Sequence, residues 1–325
     1  MAAAVPLGGT ASTARISLTK VNDMSIDPRT AVVRRFNRSY TQRIGALEDS
    51  FLGMGAPLGT MRLLFEIGSR AGTVAELRAR TGLDSGYVSR QLKRLGDDGL
   101  VSLGPDPADR RRRLVELTES GRALWEELEA RSAERARTLL EPLTERQRDR
   151  LAGALAEADL LVRAASVTFE TVDPLSPGAR AAVGQYVAEL ATLFPFDPGE
   201  PSDEDAAQFR PPSGRFVLAV EDGEPAACGG LRDLGDGVAE IKRMWVHPGR
   251  RGAGLASRLL RHLETTAADA GHTAVRLDTN ENLEAAIAMY DRAGYRRIDR
   301  YNDNPDATHF FEKRLKAWGT RPHEK

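Results

Sequence analysis

The segment Glu240-Ile-Lys-Arg-Met-Trp-Val246-His-Pro-Gly-Arg-Arg251-Gly-Ala-Gly254-Leu-Ala256 combines a strand pattern, a glycine-rich turn and the start of a helix whose Leu259 and Leu260 face inward. Glycines let a backbone approach a ligand closely, and free N–H groups at a helix N-terminus converge on anions. The chemistry open to Arg251, Gly252, Ala253, Gly254, Leu255 and Ala256 is therefore anion binding through backbone amides; otherwise the segment is an ordinary glycine-containing helix entry. The turn is not a P-loop, because no Gly-Lys-Ser/Thr follows, and its glycine spacing is not that of the dinucleotide fingerprint.

A second stretch, Asp84 to Leu95, has a different chemistry. Val88, Leu92 and Leu95 fall on one helical face, while Ser85, Gly86, Ser89, Arg90 and Lys93 fall towards the other. Small residues let a helix backbone approach base edges, and Arg and Lys contact guanine or phosphate. A preceding helix over 73–80, with Thr73 and Glu76 spaced as a capping box and Gly82 as its stop, completes a helix-turn-helix. The run Arg110–Arg113 lies between the apolar strands 100–103 and 114–117, at the tip or returning arm of a hairpin. Such a run is either a solvated charge cluster or a wing for the negative minor groove, and its place beside a helix-turn-helix favours the wing.

Gly99-Leu100-Val101, Asp106-Pro107-Ala108-Asp109-Arg110-Arg111 and Leu117-Thr118-Glu119-Ser120-Gly121 follow one another in the order seen in the MarR family, which residues 27–164 resemble. The resemblance implies a homodimer built from the first and the last two helices of this region. It also implies double-stranded DNA as a partner, with the Asp84 helix in the major groove and Arg110 and Arg111 in the minor groove. Many members carry a basic residue just before the wing, where this chain has Leu103 and Gly104.

Beyond Val167 short strands alternate with helices. The glycine turn, Asn280 after the strand Ala274–Leu277, and Ala286-Ile-Ala-Met-Tyr290 followed by Gly294-Tyr295 occur at the spacing of the GNAT acetyltransferases. The resemblance implies acetyl-CoA as acetyl donor, with its pyrophosphate on the Arg251–Ala256 amides and its pantetheine arm along the strand ending at Val246. A protonated amine cannot attack a thioester, so a base or a water chain must remove a proton. The tetrahedral oxyanion needs a donor, which a splayed strand supplies from backbone N–H near Met244 or Trp245. Glu240 stands where some members place a glutamate base; otherwise it is a strand charge or an ion-pair partner. Tyr290 matches the family tyrosine that protonates the leaving thiolate; otherwise it packs. Asn280 and Asn282 compete as the CoA contact. The acidic stretch Gly199–Asp205 and Tyr301-Asn-Asp-Asn304 are candidates for the acceptor side.

These residues require two domains to position them, as expected for 325 residues. The expected architecture is a mostly α winged helix-turn-helix over 27–164, then an α+β GNAT fold over 165–316 with a mixed, mainly antiparallel sheet. Residues 1–26 are expected to be a disordered extension and 317–325 a tail. With 46 Lys and Arg against 47 Asp and Glu the net charge is -1, so any DNA-binding surface rests on local charge. The one cysteine, Cys228, excludes an internal disulfide, no Cys/His cluster suggests a metal, and no apolar run is long enough to span a bilayer; a cytoplasmic protein is expected. The sequence thus reads as a regulator fused to an N-acetyltransferase, or as a regulator whose second domain senses acetyl-CoA without turnover.

Overall fold

The computed structural model describes residues 27–106, 109–194 and 202–315. The expected extension and tail, and Pro107, Ala108 and Gly199–Pro201 of the motifs above, lie outside the described residues. The chain divides into two compact units, residues 1–58 and 59–325. In the first, α1 (Pro28–Arg43) starts with Pro28 at its first position and the Asp27 carboxylate accepting from Arg29 N–H. The helix stops at Arg43, shortly before Gly45 at φ 72°. None of its side chains is buried; Val32, Val33, Phe36 and Tyr40 are exposed.

The second unit begins within α2 (Leu58–Ser69), at residue 59, and continues with β1 (Gly72–Thr73), α3 (Val74–Thr81) and α4 (Ser85–Asp97). Thr73 and Glu76 form the expected capping box, Gly82 takes the left-handed cap (φ 62°), and Asp84 accepts from Tyr87 N–H. The wing is β2 (Val101–Pro105) and β3 (Arg113–Leu117), joined by the two-residue β1 into a sheet of order β1-β3-β2. Two long helices follow, α5 (Glu119–Leu140) and α6 (Glu145–Ser166). Thr118 Oγ1 donates to the Gly99 carbonyl at 2.6 Å, and a side chain at Gly121 would lie 1.9 Å from the Leu100 carbonyl oxygen. The glycine lets the wing and α5 close to backbone contact.

A seven-stranded sheet of order β4-β5-β6-β7-β8-β10-β9 comes next, formed by β4 (Thr168–Val172), β5 (Gly214–Glu221), β6 (Glu224–Gly235), β7 (Val238–Val246), β8 (Ala274–Thr279), β9 (Arg296–Arg297) and β10 (His309–Arg314). Every pairing is antiparallel except β7 with β8. The helices are α7 (Pro177–Leu193), α8 (Asp203–Ala207), α9 (Leu255–Asp269) and α10 (Glu284–Arg292). Alternation along β5 sends Val217 into the core with Leu259, Leu260 and Leu263 of α9, and Phe216 and Leu218 into the core with Ala179, Ala182 and Val183 of α7.

The end of α6 is fastened to this sheet by charge. The Glu221 carboxylate, 1% exposed, accepts from Arg163 of α6 at 2.8 and 3.2 Å and from Arg250 in the turn before α9. Arg258 of α9 donates to the carbonyls of Ala164 and Val167, the latter at 3.2 Å, satisfying acceptors left open where the helix ends.

Candidate functional site

Parallel pairing of β7 with β8 is confined to Val238–Glu240 against Ala274–Arg276. Past Ile241 the strands have no ladder between them. On the other edge, the register of β7 against β6 shifts between Cys228 and Gly230, so Arg243 and Met244 together face Gly229. Arg243 sits at φ 53°, a left-handed conformation that costs a non-glycine residue about 1–2 kcal/mol. Bulge and divergence leave a cavity of about 490 Å³ whose walls include Tyr186, Phe209, Arg243, Met244, Asp278, Asn280 and Tyr290.

One wall is a web of ions. Lys242 Nζ donates to both Asp278 oxygens at 2.9 and 3.0 Å, and Asn302 and Asn304 each donate to Asp278 at 2.9 Å. Burial pushes the Asp278 carboxyl up, but Lys242, Asn304 and Asn302 more than reverse this and hold it below the usual carboxylate range. Behind that wall Glu240 is fully buried. It accepts from Arg232, from the Tyr301 hydroxyl at 2.8 Å and from Asn302 at 3.0 Å, with Lys242 Nζ 3.8 Å away. Both Glu240 oxygens are therefore engaged. Opposite, Tyr290 lies among Tyr295 and Phe311 (centroids 5.7 and 5.8 Å), and burial first, then Tyr186 and Asp278, hold its phenol above the usual range.

Where β7 ends, the chain makes a single 3-10 turn and enters α9 through Gly252 (φ 92°) and Gly254 (φ 74°). No side chain caps α9, and a Cβ at Gly254 would meet open space. The Arg251 guanidinium donates to Glu189 at 2.6 and 2.7 Å and to the Val246 carbonyl at 3.0 Å. That side chain braces the turn and the Arg251 N–H is taken by the Pro248 carbonyl, while the backbone N–H groups from Gly252 on remain for an anion.

On the helix-turn-helix, Val88, Leu92 and Leu95 are buried, Ser85, Ser89, Arg90 and Lys93 are exposed, and Gly86 is half-buried, as the periodicity requires. In the wing turn Arg112 lies 3.9 Å from Asp109 and Arg113 donates to the Leu103 carbonyl, while Arg110 and Arg111 project as exposed side chains.

Residues 53–112 match the model of the MarR family and residues 185–295 that of the acetyltransferase (GNAT) family. The IAA acetyltransferase of Azospirillum brasilense is 30% identical over 131 residues, which are 40% of this chain and 84% of that protein. The chain joins a MarR-family module to a GNAT-family acetyltransferase module. The HTH-type transcriptional repressor NicR of Pseudomonas putida is 50% identical over 50 residues, 15% of this chain and 32% of the repressor. A solved putative acyl-CoA N-acyltransferase from Klebsiella pneumoniae subsp. pneumoniae MGH 78578 is 28% identical, with 47% of this chain and 99% of that one covered at a TM-score of 0.40.

Within the GNAT module, Met244, Asn280 and Tyr290 reach the cavity together. Trp245 does not; it is buried and donates its indole N–H to Glu189. The Asn280 side chain is taken up by the Asp306 carbonyl and by Asn282 N–H, and Asn282 is exposed outside the cavity. Asn304 reaches the cavity wall, whereas Tyr301 and Asn302 turn to Glu240. The acidic stretch is helical from Asp203 and brings Asp205 to the cavity. Arg232, Lys242, Arg243 and Asp278 do not stand out along the sequence. The signal for Lys242 and Asp278 is weak: charges in otherwise apolar strands.

A pyrophosphate seat at Gly254 makes a sharp prediction. Gly254→Glu places a carboxylate where the phosphates would sit, while Gly254→Ala adds only the left-handed strain. Calorimetry should find acetyl-CoA binding abolished in the first and largely retained in the second. Parent-like affinity in Gly254→Glu would place the anion elsewhere.

Proposed function

We propose that the protein is a homodimeric, cytoplasmic DNA-binding regulator that also transfers acetyl from acetyl-CoA to an amine, with 27–164 as the DNA-binding and dimerisation domain and 165–316 as the enzyme. The observation that carries the enzyme reading is the divergence of β7 from β8 beside a cavity lined by Met244 and Tyr290, with the strand β7 leading on through a glycine turn to the uncapped N-terminus of α9. An extended thioester fits between the strands, its pyrophosphate on the 252–256 amides and its carbonyl oxygen toward the Met244 amide, which would stabilise the oxyanion. By sequence Glu240 is either a base or an ion-pair partner, and its engaged oxygens favour the second. Asp278, saturated with donors and held acidic, is a poor base at neutral pH. The amine therefore gives its proton to water. Its nitrogen attacks the thioester carbon, the C–N bond forms, the nitrogen releases its second proton to water, and the C–S bond breaks. Tyr290, kept protonated by burial, donates to the leaving sulfur and recovers a proton from solvent.

The exposed apolar stripe Val32, Val33, Phe36 and Tyr40 on α1 supports dimerisation, since an amphipathic helix without a covered face invites a partner. The projecting Arg110 and Arg111 support the wing.

Acetyl-CoA consumption against an amine panel tests the enzyme. Tyr290→Phe should keep acetyl-CoA affinity and lose about 10–100-fold in kcat, the lower range for a positioned proton donor. An unchanged kcat would remove Tyr290 from the mechanism. If acetyl-CoA binds tightly and no amine is acetylated, the module is a sensor. For the DNA reading, Arg110→Ala with Arg111→Ala should weaken binding to a random-sequence duplex and flatten its salt dependence. The log-log slope should fall by about 0.9 for each phosphate no longer neutralised. An unchanged slope would refute the wing.

A further inference from the structure

The cavity's charges are unequally satisfied. Arg232 is held by Glu240 and by Gln208 at 2.6 Å, and Lys242 by Asp278. Two cations thus answer two deeply buried carboxylates, and neither is left for a ligand. Arg243 differs. Its nearest carboxylate is Asp205, 3.9 Å away, beyond hydrogen-bond length, and 52% exposed. A contact of that kind contributes about 0–1 kcal/mol.

The position of Arg243 is built. Its backbone holds the left-handed conformation at the bulge, next to Met244. The guanidinium lies over the Phe209 ring, 5.1 Å from its centroid. That ring is fixed in turn: it meets Phe216 edge-on at 6.1 Å and occupies the space a side chain at Gly230 would take, 2.5 Å from the added Cβ. Stacking uses the face of a guanidinium and leaves its N–H edge in plane, the edge that grips a carboxylate with two parallel hydrogen bonds. No side-chain hydrogen bond engages that edge among the described residues, and Arg243 lines the cavity.

We propose that the Arg243 guanidinium is the acceptor's carboxylate subsite and that the acceptor is an amino acid. Arg243 and Met244 share the bulge opposite Gly229 and both line the cavity, so a carboxylate held by Arg243 keeps the acceptor in the same cavity as the amide that would face the thioester carbonyl. The substrate class rests on the acetyl-transfer reading above; the subsite does not, because binding can be measured without turnover.

The experiment compares α- and β-amino acids with their carboxamides and the corresponding decarboxylated amines, as acceptors and, by calorimetry, as ligands of the protein saturated with acetyl-CoA. The parent should prefer the carboxylates. Arg243→Gln should raise KM for amino acids at least tenfold with little change in kcat, leave carboxamides unaffected, and keep acetyl-CoA affinity; Arg243→Lys should recover part of the loss. Equal use of carboxylate and carboxamide by the parent, or an equal effect of Arg243→Gln on both, overturns the proposal. If nothing is acetylated but amino acids bind the acetyl-CoA complex and Arg243→Gln loses them, the subsite stands and the transfer reading falls. If amino acids neither react nor bind, the subsite falls.

Discussion

Three residues of parallel pairing hold β7 to β8, and the cavity exists because the pairing stops there. Backbone groups of a strand buried without partners carry a cost of about 1–3 kcal/mol each, so a sheet opens in this way only where something else can use them. The Arg243–Met244 bulge turns the strand further from its neighbour and redirects two side chains at once. The ion web of Lys242, Asp278, Glu240 and Arg232 then props the gap open. Each of its carboxylates is paired and hydrogen-bonded, the condition under which buried charge is tolerated. A wall of this kind gives shape to the cavity and contributes no mobile base.

Paired charge also fastens the corner where α6 meets the seven-stranded sheet. Glu221 accepts from an arginine of α6 and from one of the turn that leads into α9, while Arg258 of α9 satisfies carbonyls at the end of α6. The end of α6 and the glycine turn before α9 therefore share their anchoring groups. Removing the Glu221 carboxylate would take from Arg250 its carboxylate and leave Arg163 only Asp159, 3.6 Å away, so this corner constrains both α6 and the turn before α9.

Much of this is legible along the chain because local rules agree with the fold. Thr73 with Glu76, Asp84 at a helix start, and Gly252 and Gly254 after a strand each mark a boundary through their own hydrogen bonds or backbone freedom. The face of α4 follows from spacing alone. What stays hidden depends on partners far along the chain. Glu240 meets Tyr301 and Asn302 only through the fold, and without them its position suggests a base equally well. The bulge is hidden for another reason: Arg243 takes a conformation normally signalled by glycine, and nothing in Lys-Arg-Met announces it. The two-residue β1 is too short to carry a periodicity.

If the divergence of β7 from β8 exists to hold a thioester, an extended acetyl-CoA lies along the free side of β7 and ends on the first turn of α9. Amide hydrogen exchange of the full chain, with and without saturating acetyl-CoA, reads those groups directly. Protection should rise at amides 243–246 and 252–257 and leave β5 and β10 unchanged. Tight binding with protection elsewhere, and none at the α9 turn, would contradict it.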